Sequence, residues 1–284
     1  MRLTALLLAS ALLAAQTPQT QMKPFRTSPA VTLSQDLGIS SLKLEYARPA
    51  VKGRKIWGDL VPYGQVWRAG ANSATVLTFS DAVQIAGKDV PAGSYALFAL
   101  PGAESWTLIL NKQAKQWGAY AYKPEEDVLR WTVKPLSAPF QEWLEYRVAP
   151  EGEKAWHVEL RWEKLAVPFD IEVDVRGIYW KHLQETLAKA KDTEWLPWYQ
   201  AADYCFKQGI HPQESLAWIE KSLKAGDSFW NRECMGRVLH RAGRTKEAIP
   251  HLEKAVELAK GKAPKEWIDN VEKDIAAWKA GLKS

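Results

Sequence analysis

Two patterns of hydrophobic and polar positions divide the chain. Upstream, short apolar stretches between glycines and prolines alternate with polar positions, as Leu42, Leu44 and Tyr46 do with their neighbours. A period of two predicts β-strands with one buried face. The clearest case is an antiparallel hairpin whose two alternating arms flank a turn at residues 150–152. Repetition of such strands about every ten residues predicts an antiparallel β-sandwich or a flattened barrel over residues 28–175.

Downstream, the apolar positions follow a helical period, and glycines separate the segments. The predicted helices cover residues 178–190, 195–208, 212–225, 229–242, 245–260 and 264–280. Aligning Glu220 with Glu253 gives a repeat of about 33 residues, which resembles the 34-residue tetratricopeptide unit. In the second copy, small and large residues occupy the positions that they have in the tetratricopeptide unit. These residues are Gly236, Leu239, Gly243, Ala248, Leu252 and Ala255. The sequence therefore predicts a two-domain α+β protein with a tetratricopeptide-like helical domain over residues 176–284.

The first residues have the pattern of an export signal. Arg2 precedes a run of about a dozen apolar residues, which is shorter than the roughly 20 that span a bilayer, and polar residues begin at Gln16. We expect a cleaved signal peptide over residues 1–15 and a flexible lead-in over residues 16–27. The expected location is the periplasm or the outside of the cell, and no transmembrane segment is expected after cleavage.

Four motifs in the β half resemble a bacterial family known as domain of unknown function 2911. They are KGRKIWG at 52–58, LVPYGQVWRAGAN at 60–72, PAGSYALF at 91–98 and NKQAKQWG at 111–118. Together they place the resemblance over about residues 28–166. The resemblance implies an exported bacterial domain that helical repeats sometimes follow. It implies no activity and no catalytic residue, because the family has none assigned.

The second of these motifs lies in a basic, aromatic segment. The segment from Lys43 to Arg68 contains six basic residues and only two acidic ones. Flat aromatic rings beside guanidinium groups suit a ligand with anionic or hydroxyl edges, such as a glycan or a phosphorylated small molecule. In the competing interpretation, the tryptophans fill a core and the arginines bind loop carbonyls. The candidate ligand-binding residues are Arg54, Trp57, Tyr63, Trp67, Arg68 and Asn72.

Composition and spacing argue against several other classes of site. The net charge of +5 is too small and too mixed in sign to indicate a nucleic-acid partner. The five histidines lack the spacing of a zinc site, and no nucleophile elbow is present, so we expect no metal, no cofactor and no catalytic residue. Cys205 and Cys234 would lie on neighbouring helices, where they either form a disulfide or remain as two buried thiols.

Three function classes remain. The expected one is an exported non-enzymatic binding or scaffold protein, whose β domain recognises an envelope glycan or another small polar ligand. Its helical repeats would contact a protein or peptide partner. The alternatives are a hydrolase acting on envelope sugars or peptides and a structural module in which the 15 tryptophans fill two cores. A cleft lined by Trp57, Trp67 and Arg68 would favour binding, and their complete burial would favour structure.

Overall fold

A computed structural model describes residues 25–282, so the predicted signal peptide and most of the predicted lead-in lie outside the described residues. The β half forms two antiparallel sheets. The strands are β1 (Ala30–Leu37), β2 (Ser40–Ala47), β3 (Thr75–Phe79), β4 (Val83–Ile85), β5 (Lys88–Val90), β6 (Gly93–Leu100), β7 (Trp106–Asn111), β8 (Asp127–Val133), β9 (Leu136–Glu151) and β10 (Ala155–Glu172). One sheet has the order β1-β2-β3-β6-β7-β8 and the other the order β5-β4-β10-β9.

The two sheets share one hydrophobic core, as the alternating pattern predicts for a sandwich-like domain. Leu42 and Leu44 of the first sheet and Leu144 and Val158 of the second all belong to it and are fully buried. The predicted hairpin at residues 150–152 is confirmed, with Ala155 opposite Glu151 at its start. Its two strands are long, with 16 residues in β9 and 18 in β10.

The longest strand, β10, bends sharply along its length. Glu163 has a φ of +54°, and the register with β9 shifts on either side of it. The ends of β10 come together, because Val173 donates a backbone hydrogen bond of 2.6 Å to Lys154. This bend lets one strand serve both the long hairpin and the short pairing with β4.

Six helices follow the β domain within a few residues of the predicted limits. They are α1 (Val175–Lys189), α2 (Trp195–Gln208), α3 (Pro212–Ala225), α4 (Phe229–Arg241), α5 (Thr245–Ala259) and α6 (Lys265–Gly281). Helix α1 begins three residues earlier than predicted, because Asp174 caps it by accepting a hydrogen bond from the Gly177 amide. Among the described helices, none is long and apolar enough to cross a membrane.

The helices pack as consecutive hairpins, α2 with α3 and α4 with α5. In the second hairpin, Gly236 of α4 permits the close approach of α5. A Cβ at this position would lie 2.6 Å from Leu252 Cδ2 and 3.2 Å from the Ala248 carbonyl oxygen. In the first hairpin two serines of α3 occupy the small positions. Ser215 and Ser222 each donate a 2.8 Å hydrogen bond to a carbonyl of α2.

A polar network links α4 to α5 and includes a partly buried histidine. Arg232 pairs with Asp227 at 2.7 Å, and its Nη1 lies 3.2 Å from Nδ1 of His251. Burial lowers the pKa of His251, and the positive charge of Arg232 lowers it further. The folded helical domain therefore favours a neutral histidine at this position.

Both cysteines are buried and free in the structure, which is the second of the two arrangements considered above. Burial raises the pKa of the Cys205 thiol to about 11 and that of Cys234 further still. Neither thiol is activated as a nucleophile.

Candidate functional site

Four tryptophans form a cluster at one end of the β core. Trp57, Trp67, Trp106 and Trp162 pack with ring centroids 4.9–6.2 Å apart, mostly edge to face, and we call them the tryptophan quartet. Trp67 and Trp162 are stacked 6.0 Å apart at 17°. Trp106 and Trp162 are 1% exposed. The quartet is thus mainly a structural base, as the competing interpretation expected.

A turn over residues 67–72 lies on this base and is held rigidly. Trp67 pairs with Ala99 through two backbone hydrogen bonds of 2.8 Å. The carbonyl of Ala69 accepts hydrogen bonds of 2.9 Å from both the Thr75 hydroxyl and the Tyr146 hydroxyl. Ala69 and Asn72 both have a positive φ, +50° and +62°, which residues other than glycine adopt at some energetic cost. The bonds to the Ala69 carbonyl keep the turn in this strained form.

Beside this turn lies a cavity of about 270 Å³, which we call the loop cavity. Its lining residues are Thr27, Ser28, Pro49, Ala50, Lys52, Arg54, Leu60, Val61, Trp67, Arg68, Gly70, Ala71, Asn72 and Trp162. Among these described residues are three cations, Lys52, Arg54 and Arg68, and no carboxylate. The cavity is therefore electrostatically suited to an anion.

The two arginines of the loop cavity differ in their partners. Arg54 binds loop carbonyls, with Nη2 2.6 Å from the Ala50 oxygen and Nε 3.0 Å from the Val51 oxygen. Arg68 donates no side-chain hydrogen bond to any residue between 25 and 282, and its Nε is buried. Burial lowers the pKa of Arg68, while Tyr120 acts in the opposite direction. Arg68 is thus a partly desolvated cation without a hydrogen-bonding partner among the described residues.

The structure divides the six candidate residues into two groups. Arg54, Trp67, Arg68 and Asn72 line the loop cavity. Trp57 lies behind it in the tryptophan quartet, with its Nε1 buried and without a hydrogen-bond partner among the described residues. Tyr63 is 46% exposed and packs over Gly58. Neither Trp57 nor Tyr63 is among the residues that line the cavity.

A second loop, residues 116–120, adjoins the turn, and none of its residues is among the six candidates. Residues 116–118 run beside residues 72–74, because Ala74 donates to the Gln116 carbonyl and Gly118 donates to the Asn72 carbonyl, each at 3.0 Å. The loop carries two aromatic side chains that remain exposed, Trp117 at 56% and Tyr120 at 86%. The Trp117-Gly118 pair stands in one of the four motifs, but its proximity to Asn72 depends on tertiary folding.

This second loop is fixed at its base by a cluster around Asp127. The carboxylate accepts hydrogen bonds of 2.7–2.8 Å from Asn111, Tyr122 and Arg130. Burial and the bond to Asp127 raise the pKa of Tyr122 to about 12, so its hydroxyl remains a donor. The exposed aromatic residues therefore project from an anchored loop.

A larger open cavity of about 1650 Å³ lies between the β domain and α1. The acids that line it include Asp81, Asp89 and Asp174, which accept hydrogen bonds from Ser80, Gln84 and Gly177 respectively. Within residues 25–282 no group of three or more metal-ligating side chains is present.

Comparison with known proteins bears on the β half. The family model described as a protein of unknown function (DUF2911) matches residues 28–171. No curated protein and no solved structure matches the chain. Because the matched region covers half of the chain and includes the tryptophan quartet and both loops, the chain belongs to the DUF2911 family.

Proposed function

We propose that this protein is a non-enzymatic binding protein whose β domain holds a small anionic ligand in the loop cavity. The observation that carries the proposal is Arg68, a partly buried guanidinium without a partner among the described residues. The described residues that line its cavity include no carboxylate. An unpaired donor at such a site is costly unless a ligand completes it. A carboxylate or phosphate would accept two parallel hydrogen bonds from it.

The alternative of a hydrolase receives less support from this cavity. Hydrolysis of glycosidic bonds generally requires two carboxyl groups facing the scissile bond. Among the described lining residues of the loop cavity there is none. The donors present are suited to binding and orienting an anion rather than to proton transfer at neutral pH, because arginine does not deprotonate there.

The test is a titration of the full chain, labelled with ¹⁵N at the tryptophan indoles, with galacturonate, succinate and inorganic phosphate. Binding in the loop cavity should shift the indole signals of Trp67 and Trp162, which line it. The signals should stay fixed in Arg68→Met. In the matched control Arg147→Gln, which removes an exposed cation paired with Glu145 elsewhere on the sheet, they should move as in the parent protein. No shift with any of the three anions, or unchanged shifts in Arg68→Met, would refute the proposal.

The helical half, in the same proposal, is a tetratricopeptide-like array that contacts a protein or peptide partner. Its support is the close α4–α5 packing at Gly236 and the equivalent hairpin of α2 and α3. In such an array each hairpin is stabilised by its neighbour. Deleting α6 should therefore lower the denaturant concentration at which α4 and α5 unfold. Far-ultraviolet circular dichroism of the shortened and the intact chain measures this difference. An unchanged transition would contradict the repeat assignment.

The proposed setting is outside the cytoplasm, in agreement with the signal-like first residues. In that setting the loop cavity would meet envelope saccharides and other small polar molecules.

A further inference from the structure

We infer that the ligand of the loop cavity is an acidic saccharide, whose carboxylate binds Arg68 and whose following sugar ring packs on Trp117 and Tyr120. This inference rests on the proposed function and specifies its ligand class. We call the two exposed aromatic side chains the aromatic platform.

Within the aromatic platform, the Tyr120 ring packs against the backbone of its own loop. The ring of Tyr120 lies against the α-carbon of Gly118, so close that a Cβ on Gly118 would be 2.8 Å from Tyr120 Cε2. Gly118 also has a φ of +64°, which favours glycine. Tyr120 is nevertheless 86% exposed, and its hydroxyl bonds to no described residue. A tyrosine ring that is held in place and left open to solvent is available for contact with a ligand.

The loop that carries the platform is hydrogen-bonded to the end of the turn that contains Arg68. Gly118 donates its backbone hydrogen bond to the carbonyl of Asn72, a residue that lines the cavity. Tyr120 is also near enough to Arg68 to influence it electrostatically. In the inferred arrangement, a ligand bound to Arg68 extends from the cavity over the platform.

The size of the cavity decides how much of the ligand it encloses. Its volume of about 270 Å³ is below the roughly 300–1,000 Å³ of pockets that enclose a whole drug-sized ligand. It accommodates a charged end group and part of one ring, and the remainder of a longer ligand must lie outside. Outside, the loop paired with the turn offers the exposed aromatic side chains of the platform.

The exposure of the platform favours a sugar over an apolar aromatic ligand. An apolar ring gains most from an enclosed, dry pocket, whereas an open platform leaves one face of the ligand in water. A pyranose ring satisfies both surroundings, because its C–H face packs on an aromatic ring while its hydroxyl groups remain hydrated. The three cations of the cavity then select a saccharide that carries a carboxylate.

Isothermal titration of the full chain with three probes tests this inference. The probes are galacturonate, its linear trisaccharide trigalacturonate, and the neutral trisaccharide galactotriose. Trigalacturonate should bind about tenfold more tightly than galacturonate, since an added stacking contact and its buried area are worth roughly one factor of ten. Galactotriose should bind at least about tenfold more weakly than trigalacturonate, because the charge-assisted hydrogen bonds to Arg68 are lost.

The variants separate the cavity from the platform. Trp117→Ala and Tyr120→Ala should each weaken trigalacturonate binding by about two- to tenfold. They should leave galacturonate binding unchanged within about twofold. Trp230→Ala, which truncates a tryptophan of similar exposure on α4, is the control and should bind all three probes as the parent does. Circular dichroism establishes that each variant is folded.

Two results would overturn the inference while leaving the proposed function in place. One is equal affinity for trigalacturonate and galacturonate, and the other is unchanged trigalacturonate binding in both platform variants, provided that Arg68→Met still loses binding. Equal binding of galactotriose and trigalacturonate would also overturn it, since the ligand would not be selected by charge. Failure of every anion to bind would instead refute the proposed function itself.

Discussion

Replacing Arg68 with methionine should stabilise the protein, while the same replacement at Arg54 should destabilise it. Both arginines line the loop cavity, and methionine retains an unbranched side chain of similar reach. Arg54 donates to the Ala50 and Val51 carbonyls, so its loss leaves two acceptors short of a donor. The buried Nε of Arg68 has no such partner within residues 25–282. The two substitutions thus remove opposite contributions to stability.

The magnitudes follow from these contacts. A buried polar group without a partner costs about 1–3 kcal/mol, and only one atom of the Arg68 guanidinium is buried, so we expect a gain of about 1–2 kcal/mol. At about 2–4 °C per kcal/mol this corresponds to a rise in Tm of about 2–8 °C. At Arg54, two lost hydrogen bonds at about 0.5–1.5 kcal/mol each correspond to a fall of about 2–12 °C.

The change in Tm is measured by thermal unfolding, monitored by circular dichroism at 222 nm and by tryptophan fluorescence. The anion titration on the same samples measures ligand binding. The expected combination for Arg68→Met is higher stability and lost ligand binding, which is typical of a residue kept for function. If Arg68→Met lowers Tm as much as Arg54→Met does, then Arg68 is a structural residue and the argument from its missing partner is wrong.

Three further predictions concern the second loop and the helical domain. Gly118→Ala should displace the Tyr120 ring and weaken trigalacturonate binding about two- to tenfold in calorimetry, since the new Cβ and the ring occupy the same space. Gly236→Ala should lower the free energy of unfolding of the helical domain by about 1–3 kcal/mol in urea titrations, because the added methyl group would overlap the Leu252 side chain and press on the Ala248 carbonyl. His251 has a pKa below its ordinary 6.5, so the unfolded chain binds the proton more readily. Helical-domain stability should therefore fall as pH drops from 7 through 6.5 and below, and His251→Gln should flatten this dependence in pH-resolved urea titrations.

Each of these has a matched control. Gly64 has a φ of +71° but open space around its α-carbon, so Gly64→Ala strains the backbone without moving a ring and should spare trigalacturonate binding. Gly281→Ala adds a methyl group in open space on α6 and should not destabilise the helical domain. His182→Gln removes an exposed histidine and should retain the pH dependence. A control that behaves like its partner variant would contradict the corresponding explanation.

The fold was predictable from sequence to the extent that it depends on local periodicity. The alternation around Leu42 and Leu44 predicts β2, and helical spacing with terminal glycines predicts the limits of the helices. The start of α1 was misplaced because its N-cap at Asp174 follows β10 almost directly, and the β pattern continues up to it. The full length of β10 was missed because the bend at Glu163 interrupts the alternation.

The candidate site was predictable only in part, because it combines segments that are distant in sequence. Density of basic and aromatic residues identified Arg68 and Asn72, but the same density included Trp57, which the structure places in the quartet. Sequence alone does not distinguish a tryptophan that lines a cavity from one that lies behind it. Trp117 and Tyr120 join the site only because residues 116–118 pair with residues 72–74.

The strained turn explains how a core of tryptophans and the proposed binding site can share one segment. Left-handed backbone at Ala69 and Asn72 is retained because Thr75 and Tyr146, from two different strands, hold the Ala69 carbonyl. The adjacent position, Arg68, is thereby fixed where no described group pairs with it. Local strain of this kind persists only where the surroundings over-determine it, and it is concentrated at ligand sites. The tryptophan quartet would then support the proposed site from below, so the structural interpretation applies to the quartet and the binding interpretation to the turn above it.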